Sequence, residues 1–244
     1  MSSPSLITTP VLITGVGKRV GLALSRHFLA HNIPVIGTYR THYDTIDELK
    51  NAGAMLYACD FYDQQALENL IAVLRDNHPS LRAIIHNASD WLPDKNDYSH
   101  AETMQRMMQI HASVPYQMNL ALQENLLSAA VDIHTDIIHI TDYVVAKGSK
   151  KHMAYAASKA ALDNLTMSFA SLFAPDIKVN SIAPALVSFN LGDSDEYKEK
   201  TLNKSLLPRE AGYEEVTATV DMLMKSQYIT GRTIHLDGGR HLKA

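Results

Sequence analysis

The feature that most constrains this chain is an alternation. Short β-branched runs recur at Val11–Thr14, Val35–Tyr39, Met55–Asp60, Ala83–His86, Ile137–Thr141, Lys178–Ile182 and Thr233–Leu236, and apolar residues at helical spacing fall between them. Val20, Leu24 and Phe28 share one predicted helical face. Met104, Met107, Met108, Ile110 and Met118 populate a second, and Leu162, Leu165, Phe169 and Leu172 a third. Strands alternating with such helices build βαβ units, and hence a parallel sheet covered on both faces. Seven strands in 244 residues predict one doubly wound α/β domain over residues 1–244, with no repeat or Pro/Gly-rich linker to divide it. Ligands of such sheets sit beyond the carboxyl ends of the strands, so those exits carry the search for function.

Composition removes several classes of function. With 22 basic and 26 acidic side chains the net charge is −4, which supplies no field to hold nucleic acid or an anionic membrane; an anionic ligand needs a local basic pocket. The longest apolar runs, Val11–Ile13 and Ile137–Ile140, are too short to span a bilayer. Met1–Pro10 lacks the basic and apolar regions of a secretion signal. The lone cysteine, Cys59, excludes an intramolecular disulfide and suits a reducing compartment, so a cytoplasmic protein is expected. None of the 12 histidines falls in a metal-binding spacing, and no metal is expected. His86, His111 and His139 lie in different predicted elements and meet only if the fold brings them together.

The first strand exits through Thr14-Gly15-Val16-Gly17-Lys18-Arg19-Val20-Gly21. Glycines permit a tight turn, and the following helix offers unpaired N–H groups to a pyrophosphate, the Rossmann-type arrangement. Lys18 and Arg19 are either a solvated pair or the counter-charge of that phosphate. Cations are slightly unfavourable at a helix N-terminus, which favours an anion partner. Arg40 and Thr41 end the second strand about 20 residues beyond Gly21, where NAD sites carry an acid and NADP sites accept an arginine. The expected cofactor is therefore NADPH. Asp60, closing the third strand, either accepts from an adenine amino group or caps the helix beginning near Gln64.

Tyr155-Ala156-Ala157-Ser158-Lys159 opens a predicted helix, and residues four apart share a face, so phenol and ammonium point into one cleft. A nearby ammonium is expected to lower the tyrosine pKa toward values useful for proton transfer. Tyr143 and Lys147 repeat the spacing, but they bracket Val144-Val145 ahead of Gly148 and read as a loop.

With these pieces in order, together with Asn87-Ala88-Ser89, Asn180 to Pro184, and Ile229-Thr230-Gly231 to Asp237-Gly238-Gly239, the chain resembles the short-chain dehydrogenase/reductase family over nearly its whole length. The resemblance implies that Tyr155 is the general acid and that Lys159 holds the nicotinamide ribose. It implies that Gly15, Lys18, Arg19, Val20, Arg40, Thr41, Asp60, Phe61, Asn87, Ala88, Ser89 and Pro184 line the cofactor. A substrate lid over about residues 186–210, with Phe189 as a pocket wall, and a homotetramer are implied as well.

The departures from the family pattern carry more information. Arg19 stands where a middle glycine is common, Asp142 replaces the usual catalytic serine, His111 replaces the usual helix asparagine, and Ala185 follows Pro184. An ionised Asp142 accepts hydrogen bonds and donates none, which suits a nitrogen heterocycle better than a ketone. Arg19 with Asp142 is similar to the pteridine-reductase-like members, where an aromatic two positions after the serine stacks on the pterin. Trp91 would be that plate, the alternative being core packing. The expected activity is reduction of a 7,8-dihydropterin, with dihydrofolate as a further substrate, and Tyr155, Lys159 and Asp142 as its catalytic residues. Arg19, Ser89, Trp91, Asp142, Tyr155 and Phe189 would touch that substrate. The alternatives are a carbonyl reductase of the same family and a non-catalytic NADPH sensor. His111 is either a relay residue or simply packed.

Overall fold

A computed structural model describes residues 9–131 and 133–243; most of Met1–Pro10, read above for a secretion signal, lies outside the described residues. Seven strands form one parallel sheet in the order β3-β2-β1-β4-β5-β6-β7: β1 Val11–Thr14, β2 Val35–Tyr39, β3 Met55–Ala58, β4 Ala83–His86, β5 Thr135–Ile140, β6 Ile177–Pro184 and β7 Thr233–Leu236. Strand order reverses between β1 and β4, and a crevice opens there at the carboxyl edge. Each expected strand is present. β5 begins earlier than predicted because Thr135 and Asp136 pair with Ile177 and Lys178 of β6, and β6 continues to Pro184 because Ala183 and Pro184 pair with His235 and Leu236 of β7; β3 and β5 stop short of their predicted ends, at Ala58 and Ile140.

Strand alternation sorts the core into two layers. Leu12, Ile84 and Ile137 face α3 (Gln64–Asn77), α5 (Val114–Ala121) and α7 (Met153–Phe173), meeting Leu67, Met118 and Phe169. Val11, Ile13, Ile85 and Ile138 face the other way, onto Leu24 and Phe28 of α1 (Arg19–Ala30), Ile46 of α2 (Asp44–Asn51) and Val220 of α9 (Tyr213–Lys225). β1 and β4, buried on both faces, read as unbroken apolar runs for this reason.

The methionine-rich face departs from expectation. Met107, Ile110 and Met118 are buried, but Met104 and Met108 are exposed. Met104 and Met108, four apart, share the outer face of α4 (His100–Met108) while Met107 points inward; beyond it a π-helical turn at Gln109–Ser113 breaks the 3.6-residue period before α5. Leu172 of α7 is likewise exposed, and Phe173 takes the core position instead.

Away from the crevice, at the amino edge of the sheet, Asp136 binds Arg82 at 2.6 Å and Lys178 at 2.7 Å, all three buried. The two cations also donate to the last carbonyls of α9: Arg82 to Met224 O (2.9 Å) and Lys178 to Leu223 O (2.7 Å). The triad thus anchors the helix C-terminus, where cations are favoured. No helix among the described residues is long and apolar enough to cross a membrane.

Candidate active site

Gly15 turns the chain out of β1 with φ +76°. A Cβ there would come within 2.9 Å of Ala88 Cα, and one at Gly21 would meet Gly15 O at 2.1 Å, so neither position tolerates a side chain. The turn leans on the exit of β4. Asn87 Nδ2 donates to Thr14 O (2.9 Å) and Gly15 O (3.0 Å), and the N–H groups of Asn87 and Ala88 both donate to Thr14 Oγ1. Both amide donors of Asn87 are thereby committed, making it a buttress of the glycine turn. α1 starts with no side-chain cap and no acid in its first turn, so its leading N–H groups stay open to an anion.

Arg19 adopts φ +54°, the left-handed region that L-residues avoid, which accounts for glycine being common in such turns. Its guanidinium spans the cleft: Nη1 donates to Asn190 Oδ1 at 2.6 Å and Nη2 to Ser188 O at 2.8 Å. The 186–210 segment is thus latched to the glycine turn. This segment contains α8 (Asp195–Leu202); Phe189 gives its N–H to Glu210 and meets Tyr197 edge-on at 6.2 Å.

Every site residue expected from the sequence lines the same cleft, of about 650 Å³. At its β2 end Arg40 makes a loose 3.4 Å bridge to Asp90 and remains half exposed, with Thr41, Lys18 and Tyr43 beside it. Asp60 faces the cleft and accepts from the Tyr62 N–H at 3.1 Å. It is not the cap of α3, because Asp63 fills that role, accepting from Gln65 and Ala66. Val20, Phe61 and Pro184 line the walls.

At the other end Tyr155 Oη donates to Asp142 Oδ2 at 2.8 Å, and the Val144 N–H donates to Asp142 Oδ1 at 2.7 Å. Lys159, fully buried, donates to Ile140 O at 2.8 Å, and burial lowers its pKa to about 8. The expected lowering of the tyrosine pKa does not occur in this geometry. Burial, reinforced by the Asp142 charge and hydrogen bond, holds Tyr155 well above its ordinary value, and the Lys159 ammonium lies 5.8 Å from the ring centroid. Burial raises the Asp142 pKa too, opposed by its hydrogen bonds and by Lys159 and Arg240. Tyr143, in a 3₁₀ turn, and Lys147 stay outside this cleft.

His111 joins the site through contacts that local spacing does not announce. Its Nε2 lies 2.8 Å from Ser89 Oγ and its Nδ1 2.8 Å from Ser158 Oγ, while Ser158 Oγ donates to Tyr155 O. With the Ser158 proton so committed, Nδ1 carries the ring proton and Ser89 donates to Nε2. Burial, with the Lys159 charge, holds the imidazole neutral, well below its ordinary pKa. Sequence spacing also left out Tyr43, Tyr62, Asp90, Asn190 and Tyr197; Asp90 stood beside Trp91 as its only signal. Trp91 is 61% exposed, so it is not core, and His152 stacks on one of its faces at 4.0 Å.

The fold brings His86 and His139 together beneath Lys159. His86 Nε2 bonds Asn119 Oδ1 (2.7 Å), Asn119 Nδ2 bonds His139 Nε2 (3.2 Å), and His139 Nδ1 bonds Thr166 Oγ1 (2.8 Å). Among the described residues no group of three or more His, Cys, Asp or Glu is arranged to hold a metal.

Residues 15–241 match the family described as enoyl-(acyl carrier protein) reductase. A dihydromonapterin reductase of Klebsiella pneumoniae is 50% identical over 234 residues, 96% of this chain and 97% of its own. One from Escherichia coli K12 is 52% identical over 235 residues, with the same coverage. The crystal structure of FolM alternative dihydrofolate reductase 1 from Brucella suis, in complex with NADP, superposes with a TM-score of 0.86 at 27% identity, covering 98% of both chains. Its Brucella canis counterpart, also complexed with NADP, gives 0.82 at 28%, covering 97% of this chain and 95% of its own. A parallel sheet reversing between β1 and β4, a glycine turn that admits no Cβ, and relatives matched end to end lead to one conclusion: the chain belongs to the short-chain dehydrogenase/reductase family.

Proposed function

We propose that this protein reduces a 7,8-dihydropterin to its tetrahydro form with NADPH, dihydromonapterin being the preferred substrate and dihydrofolate a further one. The observation that carries the proposal is Asp142, an acceptor in the cleft held by Tyr155 and by the Val144 N–H. A carboxylate offers about four acceptor sites, and two are filled here. The remaining two suit the adjacent N–H donors of a pterin ring. The dihydromonapterin reductases at about half identity, and the NADP carried by the Brucella relatives, support the same reading.

The residues present fit the cofactor. The glycine turn that excludes a Cβ and the uncapped start of α1 suit a pyrophosphate, while Arg40, Thr41 and Lys18 suit a 2′-phosphate. When bound, the reduced nicotinamide supplies a hydride to C6 of the substrate. The chain then has to orient the ring and deliver a proton to N5. Trp91, with one face on His152 and most of its indole exposed, serves as the stacking plate. Tyr155, kept protonated through neutral pH by burial and by Asp142, is the proton donor. Lys159, fixed on Ile140 O, holds positive charge behind it. Arg19, reaching from the glycine turn, and Phe189, from the 186–210 segment, close the pocket, and Ser89, its proton turned to His111, offers lone pairs to the ring edge.

One observation favours a second reading. Burial raises the Asp142 pKa, and a protonated carboxyl at 142 could donate to a ketone, as a carbonyl reductase requires. Steady-state assays separate the two. Turnover of dihydromonapterin and dihydrofolate with NADPH supports pterin reduction; inert pterins with active simple ketones overturn it. Tyr155→Phe should bind NADPH yet lose about 10²- to 10⁴-fold in turnover, which a mere sensor would not.

Met104, Met108 and Tyr116 on α4 and α5, with Met167 and Leu172 on α7, are exposed apolar side chains that suit packing against further copies in a homotetramer. Sedimentation tests that assembly. A cytoplasmic location fits Cys59, buried with its thiol pushed up to about 11 by burial and so kept as an inert thiol.

A further inference from the structure

Past Asp142 and Tyr155 the cleft adjoins a second chamber, also of about 650 Å³, which shares Trp91, Asp142, Tyr155 and Ala185 with it. The lining of this chamber is strongly basic. Lys147 follows the 3₁₀ turn at Tyr143–Ala146, Lys204 follows α8, and Arg240 and Lys243 come from the C-terminal turn. Among the described residues none of these four cations forms an ion pair. The one carboxylate on the lining, Asp142, is already engaged by Tyr155 and Val144.

Two further features suit an anion. Tyr143 is 7% exposed, and its hydroxyl has no hydrogen-bond partner among the described residues, although Arg240 and Lys147 lie 5.0 and 5.4 Å from its ring centroid. The cations also strain one another: burial, then Arg240, Lys200 and Lys151, depress the Lys204 pKa below its ordinary value. In a chain of net charge −4, four cations around one chamber, of which only Arg240 is reached by the Asp142 carboxylate, form a local positive field, and an anion would relieve their repulsion.

We propose that this chamber is a subsite for an anionic substituent on the substrate ring, a carboxylate or a phosphate, held by Lys147, Lys204, Arg240 and Lys243. The inference rests on the dihydropterin reading. A ring held against Asp142 and Trp91 has this space beside it for its substituent. The same chemistry arises from two sources, the glutamyl carboxylates of a dihydrofolate and a phosphate ester on a hydroxyalkyl chain.

The test compares neutral dihydromonapterin, dihydrofolate and a dihydropterin phosphate ester on the wild type and on the double variant Lys147→Gln/Lys204→Gln. That variant spares Arg240, whose charge reaches Asp142. The expected result is a loss of about tenfold in kcat/KM for an anionic substrate, carried by KM and mimicked in the wild type by added salt. Neutral dihydromonapterin should be unaffected. Loss confined to dihydrofolate identifies carboxylate as the ligand, and loss confined to the ester identifies phosphate. Equal losses on all three substrates, or none, overturn the subsite. If the wild type reduces no dihydropterin, the parent reading fails by itself, and the subsite is then judged by binding. Trp91, the only tryptophan, borders the chamber. Saturable quenching of its fluorescence by p-aminobenzoyl-glutamate or inorganic phosphate, weakened in the variant, supports the subsite; no quenching in the wild type overturns it.

Discussion

Replacing Asp142 by asparagine keeps the size of the side chain and an acceptor for the Val144 N–H, but removes the charge. In the wild type the Tyr155 hydroxyl donates to Oδ2 at 2.8 Å, and the two free acceptor sites of the carboxylate face the cleft. A hydrogen bond to a charged group contributes about 1.5–3 kcal/mol, so losing one such bond to the substrate should lower kcat/KM by about 10- to 140-fold. Stability should move the other way. Burial, net of its hydrogen bonds, raises the Asp142 pKa, so the folded chain binds that proton more tightly than the unfolded chain. Ionising it costs the fold stability as pH rises from the ordinary carboxylate value to the raised one, and the full cost is present at neutral pH. An amide carries no such cost. The variant should therefore be at least as stable as the wild type at pH 7 by thermal melting, while consuming NADPH far more slowly with dihydromonapterin. Undiminished kcat/KM, or a lower melting temperature at neutral pH, would refute the reasoning.

Three further perturbations test other parts of the argument. Arg19→Ala and Arg19→Gly both remove the latch to Ser188 and Asn190 and should raise the substrate KM, but only glycine relieves the φ of +54°. Arg19→Gly should therefore melt above Arg19→Ala, by about 1 kcal/mol in stability or roughly 2–4 °C. His86 is fully buried and its pKa is lowered to about 4 by burial, so the unfolded chain binds the proton first as pH falls from 6.5. Stability should decline over that window by about 3 kcal/mol from this group, and His86→Gln should flatten that part of the melting-temperature profile. Asp136→Asn leaves Arg82 and Lys178 buried without their counter-charge and should cost about 3–5 kcal/mol, read by denaturant unfolding.

Much of the site was legible because its parts are local. The glycine turn, the Arg40-Thr41 exit and the Tyr155–Lys159 spacing are each short stretches, and once the alternation of elements identifies a doubly wound sheet, they all belong to its carboxyl edge. His111 was legible only as a departure from the family pattern, and its partners were not. Its role follows from a π-helical turn that aims the imidazole at Ser89 and Ser158, which come from two distant elements. Tyr155 and Lys159 were found, but the electrostatics between them were not. Spacing predicts a face, whereas the partner of each polar atom depends on what the sheet places opposite: Asp142 for the phenol and Ile140 O for the ammonium.

Periodicity and turn residues alone determined that seven strands alternate with helices and that the cleft belongs at the carboxyl edge of the sheet, because backbone geometry over a few residues dictates the elements. Only the tertiary structure decided which side chains share a proton, that His86 meets His139 through Asn119, and that Lys147, Lys204, Arg240 and Lys243 surround one chamber. Those contacts join residues far apart in the chain: His86 and His139 are register partners on the adjacent parallel strands β4 and β5, and the cations of the chamber stand on segments that the parallel strands bring to one carboxyl edge.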